Sequence, residues 1–249
     1  MKYELFYLSL QHIMRINYRI LSGSALKMIA ILTMSIDHIA YFLLRYMDDF
    51  TMPFFTYHIW GMSWYSIFRC IGRLAFPIFA FLIVEGFIHT SNKRRYGRSL
   101  LIFALISEIP WILLNGFHLI GRHNVMFTLL WGFLGLYAFE RYHTDKRRLG
   151  VILISMLCGA FIFKADFNGP GFAFIILLYA LRRHLALQVI IGCCMLPKYW
   201  IAGLAFIPIS MYNGQRGFIR GSIAKYLFYA FYPLHLLVIY FIQMWLGLK

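Results

Sequence analysis

From Leu26 onward the chain is dominated by long apolar runs separated by short polar, mostly basic stretches. Runs of about 17 to 25 apolar residues suit helices that cross a bilayer, whereas a membrane β-barrel would show short alternating segments between turns. The pattern predicts spans near Leu26 to Arg45, Ile67 to Ile88, Arg98 to Gly116, Asn124 to Glu140, Leu149 to Phe163, Gly169 to Leu181, Leu185 to Pro197, Trp200 to Tyr212 and Lys225 to Leu246. The expected architecture is an all-α integral membrane protein, a polytopic bundle of about nine transmembrane helices. The spans between Leu149 and Tyr212 are short enough for one pair to be re-entrant.

Composition points the same way. Of 249 residues, 61% are hydrophobic, 19% aromatic and 13% charged. Soluble domains run at about 45 to 50% apolar and about 25% charged, so a water-soluble domain is excluded. The net charge of +15 would suggest nucleic acid if the cations were gathered on a soluble surface, but here they alternate between loops. Four lie in the segment up to the start of the first span (Lys2, Arg15, Arg19, Lys27), and four between spans two and three (Lys93, Arg94, Arg95, Arg98). Four more lie between spans four and five (Arg141, Lys146, Arg147, Arg148), two after span six (Arg182, Arg183) and three before span nine (Arg216, Arg220, Lys225). The intervening loops and C-terminus hold four: Arg122, Lys164, Lys198 and Lys249. Basic residues are retained in the cytoplasm, so the N-terminus is expected there and nucleic acid is not needed to explain the charge. Residues 1 to 25 lack a small-residue cleavage site and read as an amphipathic segment on the cytoplasmic face, followed by a single membrane domain over residues 26 to 249. The four cysteines have no metal-ligand spacing and read as packing residues, and no metal is expected.

An ionisable side chain at the centre of a bilayer costs about 2.5 to 3.5 kcal/mol on insertion scales, so each one is a functional candidate or half of a buried pair. Asp37, His38, Arg73, Glu108 and His235 come from four different spans and, counted along each helix, reach similar depths toward the outer side. Arg69 lies one turn from Arg73, and Glu85 falls near the cytoplasmic rim. The bland alternatives are an Arg73 ion pair with Asp37 or Glu108, an Arg69 that snorkels, and a His235 that satisfies a backbone defect at Pro233. Asn124 and Thr128 fit simple capping and back-bonding, while Gly72, Gly86, Gly132 and Gly135 fit close helix packing. His118, His123, His143 and His184 read as solvated loop or span-end residues. Asp37 beside His38 is harder to dismiss, because neutral histidine suits proton transfer near pH 7 and a carboxylate can fix its tautomer. Successive helical residues point about 100° apart, so Asp37 orients His38 only indirectly, or pairs with Arg73 instead.

Five runs carry a resemblance. They are Leu26-Lys27-x-Ile29-Ala30 with Asp37-His38-Ile39; Gly72-Arg73-Leu74-Ala75-Phe76-Pro77 leading to Glu85-Gly86-Phe87; Phe103-Ala104-Leu105-x-Ser107-Glu108-Ile109-Pro110; Asn124-Val125-x-Phe127-Thr128-Leu129; and Tyr229-x-Phe231-Tyr232-Pro233-Leu234-His235. Together they resemble the TraX family of bacterial conjugal-transfer membrane proteins, whose namesake is linked to N-terminal acetylation of pilin. Members often carry an aspartate two residues after the Ser-Glu-x-Pro proline, where this chain has Ile112.

The resemblance implies a multi-pass protein of the cytoplasmic membrane, similar to polytopic acyltransferases that use an acyl-CoA donor and an intramembrane histidine. It makes His38 the base and Asp37 its partner; Arg73 would then stabilise the developing oxyanion, and a covalent acyl-histidine relay is the alternative to direct transfer. Arg69, Glu108, His235, Glu85, Asn124 and Thr128 would then contact donor or acceptor. Acetyl-CoA would present its phosphates to the basic inner face. The acceptor would be an amine or hydroxyl on the outer side, on a pilin-like protein or a surface glycan. Two other classes fit the same residues: a proton-coupled transporter, and a non-catalytic assembly protein whose buried charges only lock helices together.

Overall fold

A computed structural model describes residues 19–47, 63–116, 122–195, 197–219 and 221–248. Most of the segment expected on the cytoplasmic face, and His118, lie outside the described residues. The described chain is helical: α1 (Gly23–Phe42, extended by a 3₁₀ turn at Leu44–Tyr46), α2 (Trp64–Gly72), α3 (Ala75–His89), α4 (Lys93–Leu114), α5 (Val125–Tyr142), α6 (Lys146–Phe163), α7 (Asn168–Ala180), α8 (Leu185–Met195), a 3₁₀ segment (Pro197–Ala205), α9 (Phe206–Ser210) and α10 (Gly221–Trp245). Helix forms at each place the apolar runs predicted.

Four stretches are long and apolar enough to cross a membrane: Gly23–Tyr46, Trp64–His89, Lys93–Leu114 and Ile223–Trp245. Asn168–Ala180, Ala186–Met195 and Ile201–Ser210 are shorter. Large apolar side chains such as Leu32, Ile109, Ile154 and Phe241 lie on the outer surface, as they do when the surrounding solvent is lipid.

Side-chain caps start several helices. The oxygens of Ser22, Ser63, Asn92, Asn124 and Asp145 accept from first-turn amides that have no partner within the helix. On α1, Leu26, Ala30 and Met34 recur every four residues on the buried face. That face packs against α2, α3 and α10; α10 also packs along α4, and α5 contacts α3, α4, α6 and α7. A β-carbon on Gly132 would lie 2.3 Å from Ile175 Cδ1, so α5 and α7 approach closely only because the position is glycine.

The second predicted span is not one helix. It breaks at Arg73–Leu74, between α2 and α3, beside Asp37 of α1. A β-carbon on Gly72 would fall 2.2 Å from both Cβ and Oδ1 of Asp37, so a side chain there would collide with the stem of Asp37 as well as its tip.

Candidate functional site

Two polar groups meet on α1. Asp37 Oδ2 accepts from Arg69 Nη1 at 2.6 Å, and Oδ1 accepts from Arg73 Nη2 at 3.1 Å. Arg73 Nε donates to the Arg69 carbonyl at 3.3 Å, and the Arg69 guanidinium lies 4.8 Å from the Tyr41 ring centroid. Asp37 is 16% exposed and bridges two cations, as a charge withdrawn from water requires. The indirect role expected for Asp37 is replaced by its other expected role, pairing with Arg73, and Arg69 joins that pair instead of snorkelling.

His38 takes a different partner. Its Nδ1 lies 2.7 Å from His235 Nε2, and the two rings are parallel to within 3°. His235 Nδ1 in turn lies 3.0 Å from the Phe231 carbonyl. A carbonyl only accepts, so this chain of contacts assigns the tautomers: His235 donates from Nδ1 to Phe231, its Nε2 accepts from Nδ1–H of His38, and the lone pair of His38 remains on Nε2. The carbonyl that Pro233 deprives of its donor is that of Tyr229, so His235 does not repair the proline defect. Phe42, Trp111 and Tyr232 surround the His38 ring at centroid distances of 6.0, 6.4 and 6.1 Å.

Glu108 forms a third group. Its Oε1 lies 2.6 Å from His123 Nδ1, and its Oε2 accepts from the Asn124 backbone amide at 3.2 Å and from the Asn124 side-chain amide. Asn124 also donates to the Ala104 carbonyl and caps α5 through Met126. Both Asn124 and Thr128 are fully buried, and the Thr128 hydroxyl accepts from the Phe167 amide at 3.4 Å. His123, expected to be solvated, is therefore engaged by a carboxylate, and its ring stacks on Phe163 at 4.5 Å.

Two of these groups, His38 and Glu108, reach Tyr232. Its hydroxyl is buried and makes no hydrogen bond of good geometry among the described residues; the Val125 amide is directed at it, and the charges of Asp166 and Glu108 act on it. Asp166, in the α6–α7 connection, is also within electrostatic reach of Arg73, Arg122, Asp37 and Arg69. Burial raises its carboxyl to about 6, and Arg73 and Arg122 oppose that rise. Sequence reasoning missed both His123 and Asp166. The available signal was scarcity: the chain has nine acidic residues, and Asp166 stands in a four-residue connection between two apolar helices.

Glu85 stands apart from this cluster, 3.3 Å from His89 and hydrogen-bonded to Tyr212. It lines a cavity of about 460 Å³ that runs between α1, α3, α4, α5 and α10 from Lys27 and Lys225 to Val125 and Tyr232. Among the described residues, no three His, Cys, Asp or Glu side chains are grouped as metal ligands would be.

This geometry can orient one imidazole as a proton acceptor, hold a hydroxyl beside it, and admit a long ligand from the basic end. The chain is 29% identical to the probable fimbrial assembly protein FimC, serogroup H1, of Dichelobacter nodosus, over 90% of this chain and 97% of that protein. No solved structure matches it. Residues 22–243, which carry all five quoted runs and every side chain of the cluster, match the family described as TraX protein, and the chain belongs to that family of membrane proteins.

Proposed function

We propose that the protein is an acyltransferase of the bacterial cytoplasmic membrane, serving pilus or fimbrial assembly, which moves an acetyl group from acetyl-CoA to an amine or hydroxyl of an extracytoplasmic acceptor. The observation that carries this reading is the ordered chain Phe231 carbonyl, His235, His38, which leaves Nε2 of His38 as the basic nitrogen. In the reaction, His38 Nε2 takes the proton from the acceptor as its nitrogen or oxygen attacks the thioester carbonyl. The oxyanion so formed accepts a hydrogen bond from the Tyr232 hydroxyl. The carbon–sulfur bond then breaks, the imidazolium returns its proton to the departing thiolate, and CoA leaves with a free thiol. His235 aligns His38 and stabilises its charged form. The Asp37–Arg69–Arg73 cluster fixes the break between α2 and α3 that frames this chamber.

The proposed threading is nine crossings with the N-terminus cytoplasmic, which puts the Lys27 and Lys225 end of the cavity on the donor side. The 3₁₀ geometry over Pro197–Ala205 is tighter than an α-helix and lengthens that short segment per residue. Accessibility of single cysteines placed in successive loops to an impermeant thiol reagent tests the threading, and the outer loops should label in intact cells.

Purified protein with labelled acetyl-CoA and a pilin N-terminal peptide tests the reaction. His38→Ala should lose transfer and keep its unfolding temperature. A second reading, a non-catalytic part in assembly, is favoured by the name of the Dichelobacter relative. It gains if the wild-type protein transfers nothing to pilin or glycan yet His38→Ala still blocks fimbriation.

A further inference from the structure

At the end of the cavity remote from Tyr232, four cations from three distant parts of the sequence surround two adjoining openings: Lys27, Arg216 and Lys225 line the cavity, and Arg95 joins Arg216 and Lys225 around the recess beside it. The segment after α9 is pinned to the start of α1 by its backbone: Leu21 donates to the Met211 carbonyl at 2.9 Å, Gly23 to Gln215 at 2.7 Å and Ser24 to Arg216 at 3.0 Å. The Ser24 hydroxyl donates to the Arg216 carbonyl at 2.8 Å and accepts from Ile219 at 2.7 Å. This strap carries the Arg216 side chain to Lys27 on α1 and Lys225 on α10, both of which line the cavity with it. Arg216, Lys225 and Arg95 also line an adjoining polar recess of about 370 Å³ whose other walls include Ser91 and Asn92. Among the described residues none of these four cations is ion-paired to a carboxylate. Lys225 instead sits 5.6 to 5.8 Å from the rings of Tyr96, Tyr226 and Tyr229, Lys27 sits 5.2 Å from Phe228, and Arg95 holds the Tyr226 hydroxyl. The acid in the cavity wall, Glu85, is occupied by His89 and Tyr212.

Like charges gathered at a half-buried opening repel one another, and a bound polyanion offsets that cost. Between this opening and Tyr232 the walls are apolar, including Ile31, Met34, Phe79 and Leu129. Lys225 and Tyr232 are seven residues apart on one helix, about 10 Å along its axis.

We infer that the cavity mouth at Lys27, Arg216 and Lys225, together with the adjoining recess that Arg95 shares with Arg216 and Lys225, is a binding site for two or more phosphoryl groups on the head of a ligand whose slender uncharged arm, about 10 Å long, extends to Tyr232. A phosphorylated thioester carrier and a diphosphate lipid share this chemistry. The site needs no transfer reaction; under the acyl-transfer reading it holds the phosphates of the donor.

Binding to the purified full-length chain in detergent is measured by calorimetry with four probes: CoA, pantetheine as the arm without nucleotide or diphosphate, inorganic pyrophosphate as the head alone, and farnesyl diphosphate as the lipid source. CoA or farnesyl diphosphate should bind at least tenfold tighter than pantetheine, pyrophosphate should compete, and affinity should fall as salt rises. Arg216→Ala and Arg95→Ala, whose backbones keep the strap and helix contacts, should each weaken the phosphorylated ligand about tenfold. Arg148→Ala, on the distant α6, should not. Preference for farnesyl diphosphate over CoA makes a lipid the source and still supports the site. Pantetheine binding as tightly as CoA, or unchanged affinity in both arginine variants, overturns it. Phosphate-dependent binding with no acyl transfer sinks the enzyme reading alone, whereas transfer indifferent to Arg95 and Arg216 sinks this inference alone.

Discussion

Asp37 and His38 are neighbours in sequence on one helix, yet the fold puts them to opposite uses. Asp37 meets Arg69 and Arg73, and its carboxylate oxygens are taken up by two guanidinium groups. His38 meets another histidine, and the hydrogen-bond chain through His235 leaves one ring nitrogen with its lone pair. A buried charge is tolerated by pairing it, and pairing consumes its capacity to react. A neutral imidazole costs less to bury and keeps a basic site when only one of its nitrogens is bonded. The charged member of the dyad thus serves architecture and the neutral member is available for chemistry.

Removing the carboxylate breaks this comparison most severely. Asp37→Ala should cost about 3 to 5 kcal/mol, because two guanidinium groups remain without their anion, and denaturant unfolding in detergent would measure it. The same variant with Arg69→Met and Arg73→Met should recover most of that loss. His38→Ala should leave the unfolding midpoint within about 2 °C while lowering acyl transfer about 10²- to 10⁴-fold. His235→Ala should fall between that variant and wild type in the same assay, since under the acyl-transfer proposal it acts through its hydrogen bond to His38. Gly72→Ala sharpens the architectural side: its methyl would meet the Asp37 stem at 2.2 Å, and such overpacking costs about 1 to 3 kcal/mol, readable as a lowered midpoint.

A further prediction concerns pH and Asp166. Its folded-state value of about 6 lies above the ordinary 3.8. The stability it contributes is therefore fully present below about pH 4 and is lost as pH rises through 6, an effect of about 3 kcal/mol once the carboxyl is fully ionised. Asp166→Asn should flatten that stretch of the stability–pH curve. An unchanged curve in the variant would show that another group titrates there.

The polar residues worth following could be read directly from the chain. Ionisable side chains inside apolar runs are costly, and five of the runs' polar members, Asp37, His38, Arg73, Glu108 and His235, do lie in or beside the cluster. Their partners could not be read in the same way. Depth along a helix follows from counting residues, but azimuth depends on how each helix is rotated and on the break at Arg73–Leu74, which a continuous apolar run conceals. His123 and Asp166 escaped because they sit in connections, where a polar residue costs nothing until the fold turns it inward.

The apolar periodicity and the alternation of basic loops by themselves determined a helical membrane protein, because lipid requires every backbone polar group to be satisfied within the chain. The motifs determined the family. Only the tertiary structure decided that Asp37 belongs to the arginines, that His235 belongs to His38, and that a strap from the far end of the chain brings Arg216 to Lys27. Those pairings span up to 197 positions in sequence. They are set by the packing of small residues such as Gly72 and by main-chain hydrogen bonds, which side-chain spacing does not encode.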